Sequence, residues 1–186
     1  MQKTFDPAGL ASQIGQAQGI PPLEKWNPTF CGDIDMRIAR DGRWYYQGSI
    51  IGREAMVRLF SRVLWREGDQ YFLKTPVEKV GIQVEDVPFS VILMERQPDA
   101  EQGELLVFTT ATGDRIEAGA EHPIRVVSDP ETGEPSPYLL IRFGMEGRLS
   151  RNLFYELVEM AATEPAPDGD ELVVYSAGQR FVLGKL

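Results

Sequence analysis

The chain has 186 residues, 42% hydrophobic and 25% charged, with a formal net charge of -9. That composition suits a packed globular protein of one large or two small domains and excludes global disorder. The acidic balance argues against a duplex nucleic-acid binder, because phosphate neutralisation needs basic surface, and the single cysteine, Cys31, excludes an intrachain disulfide.

In chain order, Asp6-Pro7 reads as an N-cap and first helical residue, and Leu10, Ile14 and Ala17 recur at helical spacing, which predicts a helix over 7–18. Gly19-Ile20-Pro21-Pro22 stops it, and 23–30 reads as an extended arm anchored by Trp26. Ile34, Met36 and Ile38 alternate with Asp33, Asp35 and Arg37, a strand pattern. Asp41-Gly42 signals a two-residue hairpin, which would set Ile38 opposite Tyr45, with Trp44 and Tyr46 on the polar face beside Arg37. A helix over 53–66 follows, its stripe Met56, Leu59, Phe60, Val63 and Leu64 and its polar ridge Glu54, Arg58 and Arg62. Gly68-Asp69 is read as its end. Strands are predicted at 71–73, 77–84, 89–94, 104–110, 115–116, 124–127 and 138–143. A second helix is predicted over 148–162, then strands 172–175 and 181–183 around Ala177-Gly178.

The two helical regions share an ordered set of matches. Met36-Arg37-Ile38 parallels Ile124-Arg125-Val126, and Arg58-Leu59-Phe60 parallels Asn152-Leu153-Phe154. Tyr71-Phe72-Leu73-Lys74-Thr75 parallels Leu172-Val173-Val174-Tyr175-Ser176. The order favours a duplicated unit over two unrelated pieces with similar hydrophobic grammar. The expected fold is therefore α+β, with duplicated β-hairpin–helix–β-hairpin units and antiparallel sheets. The expected divisions are 1–30 (helix and arm), 31–82 (a basic first unit) and 83–186 (a second unit).

Charge is unevenly placed. Residues 36–66 hold seven arginines and two acids, a net of +5, whereas 82–121 hold nine acids and two bases, a net of -7. Arginine presents a planar fork of donors suited to phosphate or carboxylate, and Trp44 and Tyr46 are aromatic neighbours able to stack on a base. A site for an anionic, nucleotide-like ligand is one reading, with Arg37, Trp44, Tyr46, Arg53, Arg58, Lys74 and Thr75 as contacts. The plainer reading is self-complementarity, with the basic stretch docked on the acidic one. Arg53, Arg148 and Arg151 stand at expected helix starts, where a cation opposes the dipole and a bound anion would relieve it.

Catalytic signatures are missing from the sequence. His122 and Cys31 make no zinc set, and no Walker, GxGxxG or GxSxG motif occurs. Cys31 is expected to be packed. Asp33 and Asp35 share a strand face and could serve a metal-dependent hydrolase, but pairing with Arg37 is the blander expectation. No catalytic residue, metal or cofactor is assigned, and the sequence points away from an enzyme. No apolar run of about 18 residues is present to span a bilayer, no basic start with an apolar run marks a signal peptide, and a cytoplasmic location is expected.

Several stretches together resemble a known family. They are Trp26-Asn27-Pro28, Cys31-Gly32-Asp33-Ile34-Asp35-Met36-Arg37-Ile38, Asp41-Gly42-Arg43-Trp44-Tyr45-Tyr46 and Tyr71-Phe72-Leu73-Lys74-Thr75-Pro76. Val84-Glu85-Asp86-Val87-Pro88-Phe89 and Glu121-His122-Pro123 continue the pattern. They are similar to the bacterial domain-of-unknown-function family twelve eighty-five. The resemblance implies a two-part core arising by duplication, with a second part superficially like pleckstrin-homology folds. It also implies binding of a nucleotide-like ligand between the parts, and a role in signalling. The functional expectation is a ligand-binding or signalling module, and the alternative is a protein-interaction scaffold.

Overall fold

The computed structural model describes residues 5–14 and 19–186. The chain divides into two compact units, Met1–Pro88 and Phe89–Leu186. It is a mixed α+β protein, mostly sheet, and the two units are repeat-like.

The first unit opens with α1 (Pro7–Ile14), where the Asp6 carboxylate accepts from the Ala8 N–H, and a one-turn 3-10 helix at Leu23–Lys25. The end of the expected first helix, 15–18, lies outside the described residues. Leu23, fully buried, anchors the arm; Trp26 is only half-buried. The order then runs β1 (Phe30–Ile38), β2 (Trp44–Tyr46), β3 (Ser49–Ile50), α2 (Glu54–Ser61), β4 (Leu64–Glu67), β5 (Gln70–Lys74) and β6 (Lys79–Val84). The six strands form one sheet ordered β3-β2-β1-β6-β5-β4. Each half is an antiparallel meander, and the halves join where β1 runs parallel to β6.

Two local expectations are corrected here. The β1–β2 loop is one residue longer than expected: Ala39 N–H donates to Arg43 O, and Gly42 takes φ +89°. The register therefore pairs Ile38 with Trp44, Arg37 with Tyr45 and Met36 with Tyr46. A one-residue slip exchanges the faces of a strand. Trp44 consequently joins Met36 and Ile38 in the core, 3% exposed and stacked on Phe60 at 6.3 Å. Second, α2 ends at Ser61. Leu64 and Trp65 pair with Leu73 and Phe72 instead, and Gly68-Asp69 turns a hairpin. A β-branched and aromatic run, Val63-Leu64-Trp65, gains more from ladder hydrogen bonds and burial than from another helical turn; Val63 and Leu64 are fully buried.

The second unit runs β7 (Phe89–Asp99), β8 (Gly103–Thr110), β9 (Arg115–Glu117), β10 (Ile124–Ser128), β11 (Pro135–Arg142) and β12 (Met145–Leu149). It closes with α3 (Arg151–Met160), β13 (Ala162–Glu164), β14 (Glu171–Ser176) and β15 (Gln179–Lys185). Six strands order as β10-β11-β12-β7-β8-β9, and β13-β14-β15 form a separate antiparallel sheet. The second helix is thus shorter than its apolar stripe suggested, because strands claim residues on both sides. Ser150 caps it, its hydroxyl accepting from Leu153 N–H.

In the first unit β1–β3, and in the second β10–β12, form a three-stranded antiparallel meander immediately before a helix, and three antiparallel strands follow it. Even the turn geometry recurs: Gln47-Gly48 between β2 and β3, and Phe143-Gly144 between β11 and β12, have φ near +50° followed by +78° and +73°. Two consecutive left-handed residues define the hairpin turn whose twist suits the flanking strands.

Candidate functional site

The basic stretch lies on the first hairpin, α2 and β4. Arg37 stacks over the cross-strand Tyr45 ring at 4.5 Å and donates to Glu85 Oε1 at 2.5 Å. The other Glu85 oxygen accepts the Arg40 backbone N–H at 2.8 Å. That N–H first, and the Arg37 guanidinium second, hold the Glu85 carboxyl below its ordinary range. Arg43 reaches Asp41 at 3.7 Å, and Arg66 reaches Asp69 at 3.7 Å while donating to Gly68 O. Arg62 Nε donates to Gly19 O at 2.7 Å. The expected pairing of Asp33 or Asp35 with Arg37 is not what forms: Arg37 turns to Glu85, a residue of the acidic stretch.

Three guanidinium groups are left. Arg40 lies two residues past the end of β1, Arg53 occupies the position before the first residue of α2, and Arg58 lies mid-helix. All three are exposed, and among the described residues their side chains make no hydrogen bond or ion pair. Arg40 was missed at the sequence level; its signal was its place at the hairpin tip, just past buried Ile38 and Ala39.

The remaining expected contacts sit deeper. Trp44 is core. Tyr46 is half-buried against Phe5 at 5.8 Å, edge to face, and its hydroxyl takes part in a hydrogen bond from Gln47. Thr75 is fully buried, its Oγ1 accepting from the Val77 and Glu78 N–H groups, so it shapes the β5–β6 turn. Lys74 is 5% exposed, its ammonium 3.9 Å from the Trp65 ring centroid.

The second unit uses its arginines differently. Arg115 binds Glu95, Arg125 grips Glu146 through two nitrogens, Arg151 reaches Glu134 and Arg180 spans Glu164 and Glu171. Arg96 pairs with Glu104, and Arg148 donates to Ser136 Oγ. Arg142 and Asp114 form a pair at 2.5 Å with side chains only 12% and 14% exposed, and Arg142 also lies over the Phe89 ring.

Four concavities belong to one unit or the other. In the first unit, one of about 490 Å³ is lined by Cys31, Asp33, Asp35, Tyr46 and Glu78, and one of about 340 Å³ by Asp33, Asp69, Phe72 and Gln83. Both are acidic. Cys31 is exposed rather than packed, its thiol 3.2 Å from Thr29 O. In the second unit, about 680 Å³ opens beside Arg115, Glu117, Glu121 and His122, and about 250 Å³ beside Arg148, Arg151 and Tyr155. His122 Nδ1 lies 2.9 Å from Leu140 O, and a carbonyl only accepts, so that nitrogen carries the proton. Among the described residues no group of three or more His, Cys, Asp or Glu is placed to hold a metal ion. Among them, too, no helix is long and apolar enough to cross a membrane.

Fold and surface together define a two-unit, sheet-rich α+β protein with unspent arginines on its first unit. The chain belongs to the DUF1285 family of unknown function: the family's N-terminal domain matches residues 21–87 and its C-terminal domain residues 88–183. A crystal structure of a DUF1285 family protein from Silicibacter pomeroyi DSS-3 is similar at 45% identity and a TM-score of 0.89, covering 99% of this chain and 97% of that one. Another, from Shewanella baltica OS155, is similar at 32% identity and a TM-score of 0.53, covering 67% of this chain and 90% of that one. Among curated proteins no match is found.

Proposed function

We propose that this protein is a non-enzymatic ligand-binding module with a signalling role, receiving a small anionic, nucleotide-like ligand through its first unit. One observation carries the reading. In a chain of net charge -9, Arg40, Arg53 and Arg58 are exposed without a partner among the described residues. A guanidinium surrounded by surplus carboxylates normally finds one, as Arg37, Arg43 and Arg66 do. Side chains kept out of such pairs are available to phosphate or carboxylate from outside. Of the residues expected from the sequence, Arg53 and Arg58 make the contacts, while Trp44 and Thr75 support the scaffold behind them.

Duplication of a strand–helix–strand unit is part of the same proposal. It is supported by the matching cross-strand pairs, Arg37 over Tyr45 at 4.5 Å and Arg125 over Tyr138 at 4.9 Å, and by the paired left-handed turns. A pleckstrin-homology-like second unit and a cytoplasmic location belong to it as well.

Thermal unfolding with a panel of nucleoside mono-, di- and triphosphates tests the ligand. A ligand binding only the folded state at a hundred times its Kd adds about 2.7 kcal/mol of stability. The expected result is a rise in Tm with at least one nucleotide, lost in the Arg53→Gln/Arg58→Gln double variant. No rise at millimolar concentration, or a rise unchanged in the variant, overturns the proposal.

A further inference from the structure

Of the four concavities described above, the one of about 250 Å³ in the second unit has walls of a different charge. The two of the first unit are lined by carboxylates, and that beside Arg115 also carries Glu117 and Glu121. Here two guanidinium groups, Arg148 of β12 and Arg151 at the first residue of α3, stand against a single carboxylate, Glu134. The rest of the lining is largely apolar. Phe154 is 8% exposed, and Tyr155 is 56% exposed, its hydroxyl making no hydrogen bond among the described residues. Pro135 and Pro137 line the β11 side and carry no N–H, so recognition of an anion falls to the guanidinium groups.

Both arginine attachments are of a kind that an incoming anion can exchange or share. Arg151 Nη2 lies 3.2 Å from Glu134 Oε1, with side chains 72% and 60% exposed, and an ion pair so open to water contributes little. Arg148 Nη2 donates to the neutral Ser136 hydroxyl at 3.3 Å, and a guanidinium has several N–H groups to give. We propose that this cavity is a binding site for a small organic acid, a carboxylate carried on a single ring. The acid group takes the place of Glu134 on Arg151, with Arg148 as the second donor, and the ring lies against Phe154 and Tyr155. The planar fork of arginine matches a carboxylate edge, and aromatic rings attract one another offset or edge to face. Size limits the occupant: about 250 Å³ lies below the ~300–1,000 Å³ of drug-sized sites, which suits one ring rather than a nucleotide. Glu134 is then a tethered competitor that sets the affinity. The site is separate from the guanidinium groups of the first unit and stands whether or not they bind a ligand.

The test uses the full chain and 4-fluorobenzoate, followed by fluorine NMR, with 4-fluorobenzamide as the neutral analogue of the same shape. Saturable broadening of the benzoate signal is expected, with a Kd of about 1 mM or tighter for a ligand of about ten non-hydrogen atoms. The amide is expected not to saturate over the same range. Arg151 and Glu134 are both exposed, so neither substitution threatens the fold. Arg151→Gln is expected to weaken benzoate binding about tenfold or more, and Glu134→Gln, which removes the competitor, to tighten it. No saturation by about 10 mM benzoate, or equal binding of the amide, overturns the proposal. So does an affinity unmoved by Arg151→Gln, or one unmoved or weakened by Glu134→Gln.

Discussion

The two units treat arginine in opposite ways. Each of the seven arginines of the second unit donates to a carboxylate or hydroxyl on another residue. In the first unit three of seven reach out with no partner among the described residues, although 28 acids are present in the chain. Where the guanidinium is tied, charge serves the sheet: Arg125 and Arg180 each cross-link strands. Where it is not tied, charge is held at an exposed hairpin tip and along one short helix. Net charge alone hides this, because it sums the tied and the untied guanidinium groups alike.

The largest effect that would break this comparison lies at Arg142. Its Asp114 partner is largely shielded from water with it and also accepts from the Thr110 and Thr112 hydroxyls. Arg142→Ala leaves that carboxylate without its cation and is expected to cost about 3–5 kcal/mol in urea denaturation. A loss under about 1 kcal/mol would mean the second unit does not depend on its tied arginine. Next comes Ser150→Ala, expected to cost about 1 kcal/mol through loss of the α3 cap, measured in the same way. Its counterpart position in α2 is Arg53, which makes no cap bond, so Arg53→Ala should not show that cost.

A pH titration sharpens the contrast further. Glu85 is held low first by the Arg40 N–H, Glu67 by Lys79, and Glu164 by the Tyr175 hydroxyl ahead of Arg180. Each folded carboxyl lies below its model value of 4.5, so each contributes stability that is complete above that value and lost as pH falls through the lower, folded one. Tm should be level near neutrality and fall below about pH 4.5, and Glu85→Gln should shrink that fall. Lys74 has the opposite side of the profile. Its folded value is depressed below 10.5, so the unfolded chain binds the extra proton and stability rises with pH up to the unfolded value. The smallest effects belong to Arg40→Gln, Arg53→Gln and Arg58→Gln, each expected within about 0.5 kcal/mol of the parent. A larger loss at any of them would show an internal role and remove it from the proposed binding surface.

Much of the architecture was legible in apolar spacing. Met36 and Ile38, two apart in a strand, and Leu153 and Leu157, four apart in a helix, mark buried faces as their periodicities require. The hairpin register was not legible, because Asp41-Gly42 suits both a two-residue loop and the longer one that forms. That single residue decides whether Trp44 faces a ligand or Phe60. The length of α2 was equally hidden, since Val63 and Leu64 satisfy a helical stripe as well as the start of a strand, and only β5 as a partner settles it. The candidate arginines were visible by number. Which of them lacked a partner depended on Glu85, nearly fifty residues beyond Arg37, closing on it when β6 pairs with β1.

That parallel contact between β1 and β6 has a further meaning. It is the one join between the two meanders of the first unit's sheet, and its register slips twice, between Phe30 and Asp33 and between Asp33 and Arg37. Gly81 lies at its middle because a methyl there would collide with the Asp33 carboxylate. A sheet stitched along a single irregular line has a natural tear: amides on either side of it should exchange with solvent sooner than those within each meander, giving the unit two leaves that breathe about a common spine.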